Sequence, residues 1–192
     1  MISGCFKRGS TAKREKPALI ERVARWLEKK GKSRLIWREI VTDRGMDYDP
    51  VNTVHVSTVS DLNAETGVRN TYHQKYLERY YLFRSKWFAI YIHRFWASDE
   101  DPLHDHPWDN ISWVWKTGYW ENLPDGQRLW RTEGFKAFRS APEFHRVELQ
   151  PGTEGKVWTI FIRFRRRRKW GFWHPEGWKE AVPQSGSDEV FD

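Results

Sequence analysis

A mainly β domain built as a small barrel or sandwich is what this sequence predicts, and three observations predict it. Between residues 87 and 164, seven short runs rich in Trp, Tyr, Phe, Ile and Val follow one another, each bounded by Gly, Pro, Asn or Asp. That is the rhythm of strands and tight turns rather than of βαβ units. Aromatic residues make up 16% of the 192-residue chain, with 13 Trp, a composition suited to strands that wall a concave interior. His104 and His106 stand two apart, and His145 follows in a later run. Side chains at i and i+2 leave a strand on one face, so a third His from another strand can close a facial set of metal ligands.

In chain order, residues 1–16 form a polar, basic tail that the composition predicts to be mobile. Residues 17–30 place Leu19, Ile20, Val23, Trp26 and Leu27 at helical spacing, with Pro17 suited to the first turn and Gly31 to the C-cap. One amphipathic helix packed on the body is expected there. Residues 34–42 read as a strand, with a short helix as the alternative, and 53–59 alternate as a half-buried strand does. Residues 43–52 and 61–70 have turn composition, and the aromatic-rich stretch 72–85 fits helix or strand. The β-type runs of the body then fall at 87–96, 111–116, 119–122, 127–131, 135–138, 145–149 and 157–164. The expected organisation is a tail at 1–16, an extension at 17–85, a barrel at 86–180 and a polar acidic tail at 181–192.

The net charge of +7 is concentrated in Lys7, Arg8, Lys13, Arg14 and Lys16 and in the run from Arg165 to Lys169. Such clusters give at most weak, salt-dependent attraction to nucleic acid, and no helix-turn-helix or zinc-finger pattern accompanies them. A solvated turn is the favoured reading of the second run. The single Cys5 allows no intrachain disulfide, which points to a reducing, cytoplasmic setting. With no run of 18 apolar residues and no apolar signal-peptide core at the start, neither membrane insertion nor export is expected. The chain contains no G-x-S-x-G elbow, P-loop, dinucleotide fingerprint or H-E-x-x-H, and Asp105 follows His104 directly rather than at the H-x-D spacing.

The run Leu103-His104-Asp105-His106-Pro107-Trp108-Asp109-Asn110 leading to Gly118 resembles the first motif of the cupins, G-x5-H-x-H-x3,4-E-x6-G. Ala141-Pro142-Glu143-Phe144-His145-Arg146-Val147 is similar to a shortened second motif. The resemblance covers roughly residues 87–164. It implies a cupin-like double-stranded β-helix, a jelly-roll barrel, in which His104, His106 and His145 hold one divalent transition metal at the barrel mouth. Where the motif carries Glu, this chain has Asn110 and Ile111, with Asp109 one place early; Ser98 replaces the first Gly, and Gly118 is slightly late. Asp109 is the candidate fourth ligand if Pro107 reshapes the turn, whereas Asn110 shares the parity of the two His if the strand continues. Fe is the expected metal, with Zn, Mn and Ni as alternatives.

Within the body, Tyr91, His93, Arg94 and Arg163 are the candidate substrate-binding residues, the two Arg because each interrupts an apolar strand and can grip an anion bidentately. Trp108, Trp113 and Trp115 are expected to wall the barrel. The resemblance implies a small-molecule oxygenase or dioxygenase using Fe(II), and the two Arg residues point to an anionic substrate. Cupins also include isomerases, epimerases and non-catalytic binders, so a sugar- or anion-binding cupin and a nucleic-acid-associated cupin remain the alternatives. A homo-oligomer is compatible with all three.

Overall fold

The structure is a computed structural model and describes residues 18–42, 53–56, 70–99 and 102–181. The basic tail with Cys5, the turn regions at 43–52 and 61–69 and the acidic segment 182–192 lie outside the described residues. The helix α1 spans Leu19–Lys29. It buries Ile20, Ala24 and Leu27 against Tyr80, Ile92 and Trp158 on the outer face of a large sheet, while Leu19 and Trp26 stay exposed. Its end is a Schellman motif: Gly31 N donates to Glu28 O and Lys32 N to Leu27 O, both at 2.9 Å. Gly31 adopts φ +65° there, a left-handed conformation that glycine takes without a Cβ penalty. Lys116 pairs with Glu21 at 2.5 Å and ties the helix to the barrel.

The strands are β1 (Ser33–Thr42), β2 (Thr53–Val56), β3 (Asn70–Arg84), β4 (Ala89–Phe95), β5 (Trp108–Lys116), β6 (Tyr119–Asn122), β7 (Arg128–Arg131), β8 (Lys136–Arg139), β9 (Arg146–Glu148), β10 (Val157–Arg166), β11 (Gly171–His174) and β12 (Gly177–Glu180). All pairings are antiparallel. The large sheet runs β1-β3-β4-β10-β5-β8, with β2 beside β3; the small sheet runs β7-β6-β9, and β11-β12 form a hairpin. His104 bridges His145 and also Phe172, so it extends the small sheet beyond β9 and joins the hairpin to it.

From β4 onward the chain alternates between sheets: β4 in the large, His104 in the small, β5 in the large, β6 and β7 in the small, β8 in the large, β9 in the small, β10 in the large. This threading makes a jelly roll, the double-stranded β-helix of the cupins. Leu77, Phe95, Val114, Tyr119, Val147, Leu149 and Val157 meet between the two sheets as the core. The ambiguous stretch 72–85 is strand β3, because β1 and β4 satisfy its backbone on both edges. The N-terminal extension therefore continues the barrel's large sheet. Gly118 sits at the β5–β6 turn, where an added Cβ would lie 2.5 Å from Trp130 Cζ2, so the motif glycine answers a close approach of β7.

Two features depart from the sequence expectation. The hairpin β11-β12 is additional, pairing Trp173 with Trp178 across a tight turn. The basic run is also less free than a solvated turn: β10 continues through Arg166, Arg167 pairs with Asp109 at 2.5 Å, Arg168 with Asp105 at 2.7 Å and Lys169 with Glu180 at 2.8 Å. Those three cations join β10 to the motif loop and the hairpin. Lys86 and the five basic residues line an open surface depression of about 550 Å³. Among the described residues, no helix is long and apolar enough to cross a membrane.

Candidate metal centre

His104, His106 and His145 come together at the end of the small sheet, each offering one ring nitrogen, and these atoms all lie within 4.8 Å of one another. His104 N donates to His145 O and His145 N to His104 O, both at 3.0 Å, which fixes the two backbones side by side. His106 N donates to Ala141 O at 3.1 Å, so the loop carrying the first motif is pinned to the turn that leads to the second. His106 Nε2 lies 2.9 Å from His145 Nε2. Two ligands at right angles on an ion about 2.1 Å from each nitrogen would stand about 3.0 Å apart, so this edge fits a coordinated metal.

The protonation pattern also fits. Glu121, fully buried on β6, lies 3.0 Å from His145 Nδ1; in the tautomer that donates a hydrogen bond from Nδ1 to this carboxylate, Nε2 carries the lone pair available to a metal. Burial works against the Glu121 carboxylate, but the His145 hydrogen bond and the Arg139 and Arg131 guanidiniums outweigh it and hold its pKa at about 2. Arg131 Nε donates to Glu121 Oε2 at 2.6 Å, and Arg139 donates to Oε1. Asp99 Oδ2 stands 3.9 Å from His104 Nδ1 while accepting from Val147 N at 2.6 Å, and Tyr76 Oη donates to its other oxygen. Burial pushes the His104 imidazole down to about 4 despite Asp99, and pushes His106 far below its ordinary value. Converging ring lone pairs are what a divalent cation binds, and Glu121, at hydrogen-bond distance behind His145, is the orienting outer-shell group.

Phe161 packs against His106, and Phe172 and Trp170 against His104, with ring centroids 6.1 to 6.4 Å apart. The centre is thereby walled by aromatic rings. Beyond Phe161, cross-strand register lines up the buried face of the large sheet. One row is His93, Thr159 and Val114; the next is Tyr91, Phe161, Ser112 and Ala137; the last is Ala89, Arg163, Asn110 and Arg139.

Three of the four candidate substrate residues therefore face the barrel interior. Arg163 Nε donates to Tyr91 Oη at 3.2 Å. His93 stacks on Phe161 and accepts from Arg79 Nε at 3.1 Å. Arg94 lies on the opposite face, where it donates to Gly155 O at 2.7 Å, pairs with Glu78 at 3.3 Å and covers Trp96 and Trp158. Asp109, on β5, has both carboxylate oxygens engaged away from the three histidines. Its Oδ1 accepts from Ala141 N at 2.8 Å and its Oδ2 from Arg167, and these hydrogen bonds keep its pKa low. It stands outside the three-His cluster because strand parity turns it away from the interior. Parity likewise sends Asn110 inward, and it puts Trp115 under α1 rather than inside the barrel. Glu121, Asp99 and Arg139 went unremarked in the sequence, since only register across different strands brings them behind the histidines.

A cupin-like jelly roll with a three-histidine centre at its mouth is the class that this fold and site define. No protein-family model matches the chain, and no curated protein matches it. Solved structures that resemble it include the polyketide cyclase RemF from Streptomyces resistomycificus, at 17% identity and a TM-score of 0.43, covering 57% of this chain and 73% of that one. A protein of unknown function with a cupin-like fold from Ralstonia eutropha aligns at 15% identity and a TM-score of 0.43, covering 56% and 65%. A putative mannose-6-phosphate isomerase from the same organism aligns at 18% identity and a TM-score of 0.42, covering 46% and 84%.

Proposed function

We propose that this protein is a metal-dependent enzyme that acts on a small molecule, an oxygenase or dioxygenase with one Fe(II)-type ion held by His104, His106 and His145. The observation that carries the reading is the convergence of three imidazole nitrogens within 4.8 Å, with Glu121 behind one of them. When bound, such an ion supplies a Lewis acid with open positions for a substrate heteroatom and dioxygen.

The rest falls to the chain. Glu121 holds His145 in the tautomer that presents Nε2, and Arg139 and Arg131 keep that carboxylate ionised. Phe161, Trp170 and Phe172 restrict water at the rings. Arg163 fixes the Tyr91 hydroxyl in the interior beyond Phe161, where a substrate would extend.

The test is oxygen uptake by the Fe(II)-loaded protein over a panel of small thiols, diketones and organic acids. Substrate-dependent uptake that disappears in His106→Ala is the expected result. Stabilisation by one of these compounds with no oxygen consumed and no product formed would overturn it in favour of a non-catalytic binder.

A further inference from the structure

One end of the barrel interior holds more hydrogen-bonding groups than the fold satisfies. Asn110 is 1% exposed, yet neither atom of its amide has a partner. Arg139, its direct cross-strand neighbour and 5% exposed, gives one nitrogen to Glu121 and leaves Nη1 buried without a partner. Trp108 precedes Asn110 by two residues on the same face, and its buried Nε1 also lacks a partner. Four of the five such atoms among the described residues belong to these three neighbours. Each unpaired buried polar atom costs free energy, so their concentration in one place leaves hydrogen-bonding capacity that a bound molecule would satisfy.

The chemistry of that ligand follows from the donor set. Trp108 Nε1, Asn110 Nδ2 and Arg139 Nη1 are donors, and Asn110 Oδ1 is the lone acceptor. The surroundings are positive: Glu121 offers one carboxylate to two guanidiniums, Arg131 and Arg139. Arg163 brings a third guanidinium, 5.1 Å over the Trp108 ring. Arg139 and His145 both contact Oε1 of Glu121, so the cluster adjoins the metal centre.

We propose that Trp108, Asn110 and Arg139 bind the carboxylate of a small organic acid carrying a hydroxyl or amino hydrogen on the adjacent carbon. The carboxylate accepts from the three donors, and Asn110 Oδ1 accepts the neighbouring hydrogen. That this acid is the substrate rests on the enzymatic reading above; its binding does not.

Calorimetric titration of the chelator-treated, metal-free protein with lactate, alanine, propionate and lactamide tests the assignment. Lactate or alanine should bind, and which of them binds more tightly identifies a hydroxyl or an amino donor. Propionate, which lacks that donor, and lactamide, which lacks the charge, should each bind at least ~10-fold more weakly, the worth of one hydrogen bond to a charged or buried partner. Asn110→Asp keeps the shape but sets a negative charge against the carboxylate, and it should weaken binding by at least ~10-fold. Trp108→Phe keeps the ring, removes one donor and should weaken binding several-fold with the fold intact by circular dichroism. Absence of binding by both lactate and alanine up to about 10 mM would reduce the cluster to a site for buried water and overturn the proposal. So would unchanged affinity in both variants. Metal content measured on the same preparations separates the two claims: acid binding by a protein that takes up no metal contradicts the enzyme alone, and metal uptake without acid binding contradicts this site alone.

Discussion

Replacing Glu121 with Gln should weaken metal binding by about 10- to 100-fold, roughly 1.4 to 2.7 kcal/mol, the usual cost of losing an outer-shell partner of a ligating histidine. The structure explains why a neutral isostere is not enough. Glu121 is fully buried and meets His145 Nδ1, Arg131 and Arg139 at once. A Gln amide can still accept from one of these groups, but its NH2 must then face another donor, and two guanidiniums lose their counter-charge. Breaking a buried ion pair from one side costs about 3 to 5 kcal/mol, so the metal-free variant should also unfold at lower urea. Competition against a chromophoric chelator measures the first effect and urea denaturation the second. Arg131→Met is the control, because it removes a partner of Oε2 while leaving the His145 contact in place; it should cost stability and leave metal affinity within about twofold. Unchanged affinity in Glu121→Gln would refute the orienting role, as would an equal loss in Arg131→Met.

Asp109→Ala should leave metal affinity unchanged while lowering stability by about 1 to 3 kcal/mol, through loss of the hydrogen bond from Ala141 N and the Arg167 contact; a large drop in affinity would restore it as a ligand. The metal-free protein should lose stability as pH falls below about 6.5, because burial depresses the pKa values of His93, His104 and His106. The unfolded chain takes up protons there that the folded chain refuses, so each histidine contributes a slope of about 1.4 kcal/mol per pH unit until its folded pKa is reached, about 4 for His104. Urea melts from pH 7 to pH 4.5 measure that slope, and a flat profile would contradict the buried neutral rings.

The sequence made the barrel legible because its strands are short, aromatic and separated by turn residues, and because Leu19 to Leu27 repeat at helical spacing. His104, His106 and His145 were legible for a local reason, their spacing beside turns. For Asp109 the sequence carries no mark of the face a carboxylate beside a ligand pair takes; strand parity turns it toward Ala141 and Arg167. Arg94 and Arg163 look alike in sequence, each among apolar neighbours, and only register separates the exterior one from the interior one. Glu121, Asp99 and Arg139 could not be found from spacing, since they reach the centre from β6, β8 and the segment after β4. The β11-β12 hairpin did leave a signal: Phe172-Trp173-His174-Pro175-Glu176-Gly177-Trp178 reads as two short aromatic arms around a Pro/Gly turn.

The most direct measurement of the central claim is elemental analysis of the purified protein and of His104→Ala, His106→Ala and His145→Ala after loading with Fe(II) and removal of excess metal. One ion per chain in the parent is the expected result, with loss of stoichiometric binding in each variant while circular dichroism still reports a mainly β fold. A full complement of metal in all three variants, or none in the parent, would contradict the account.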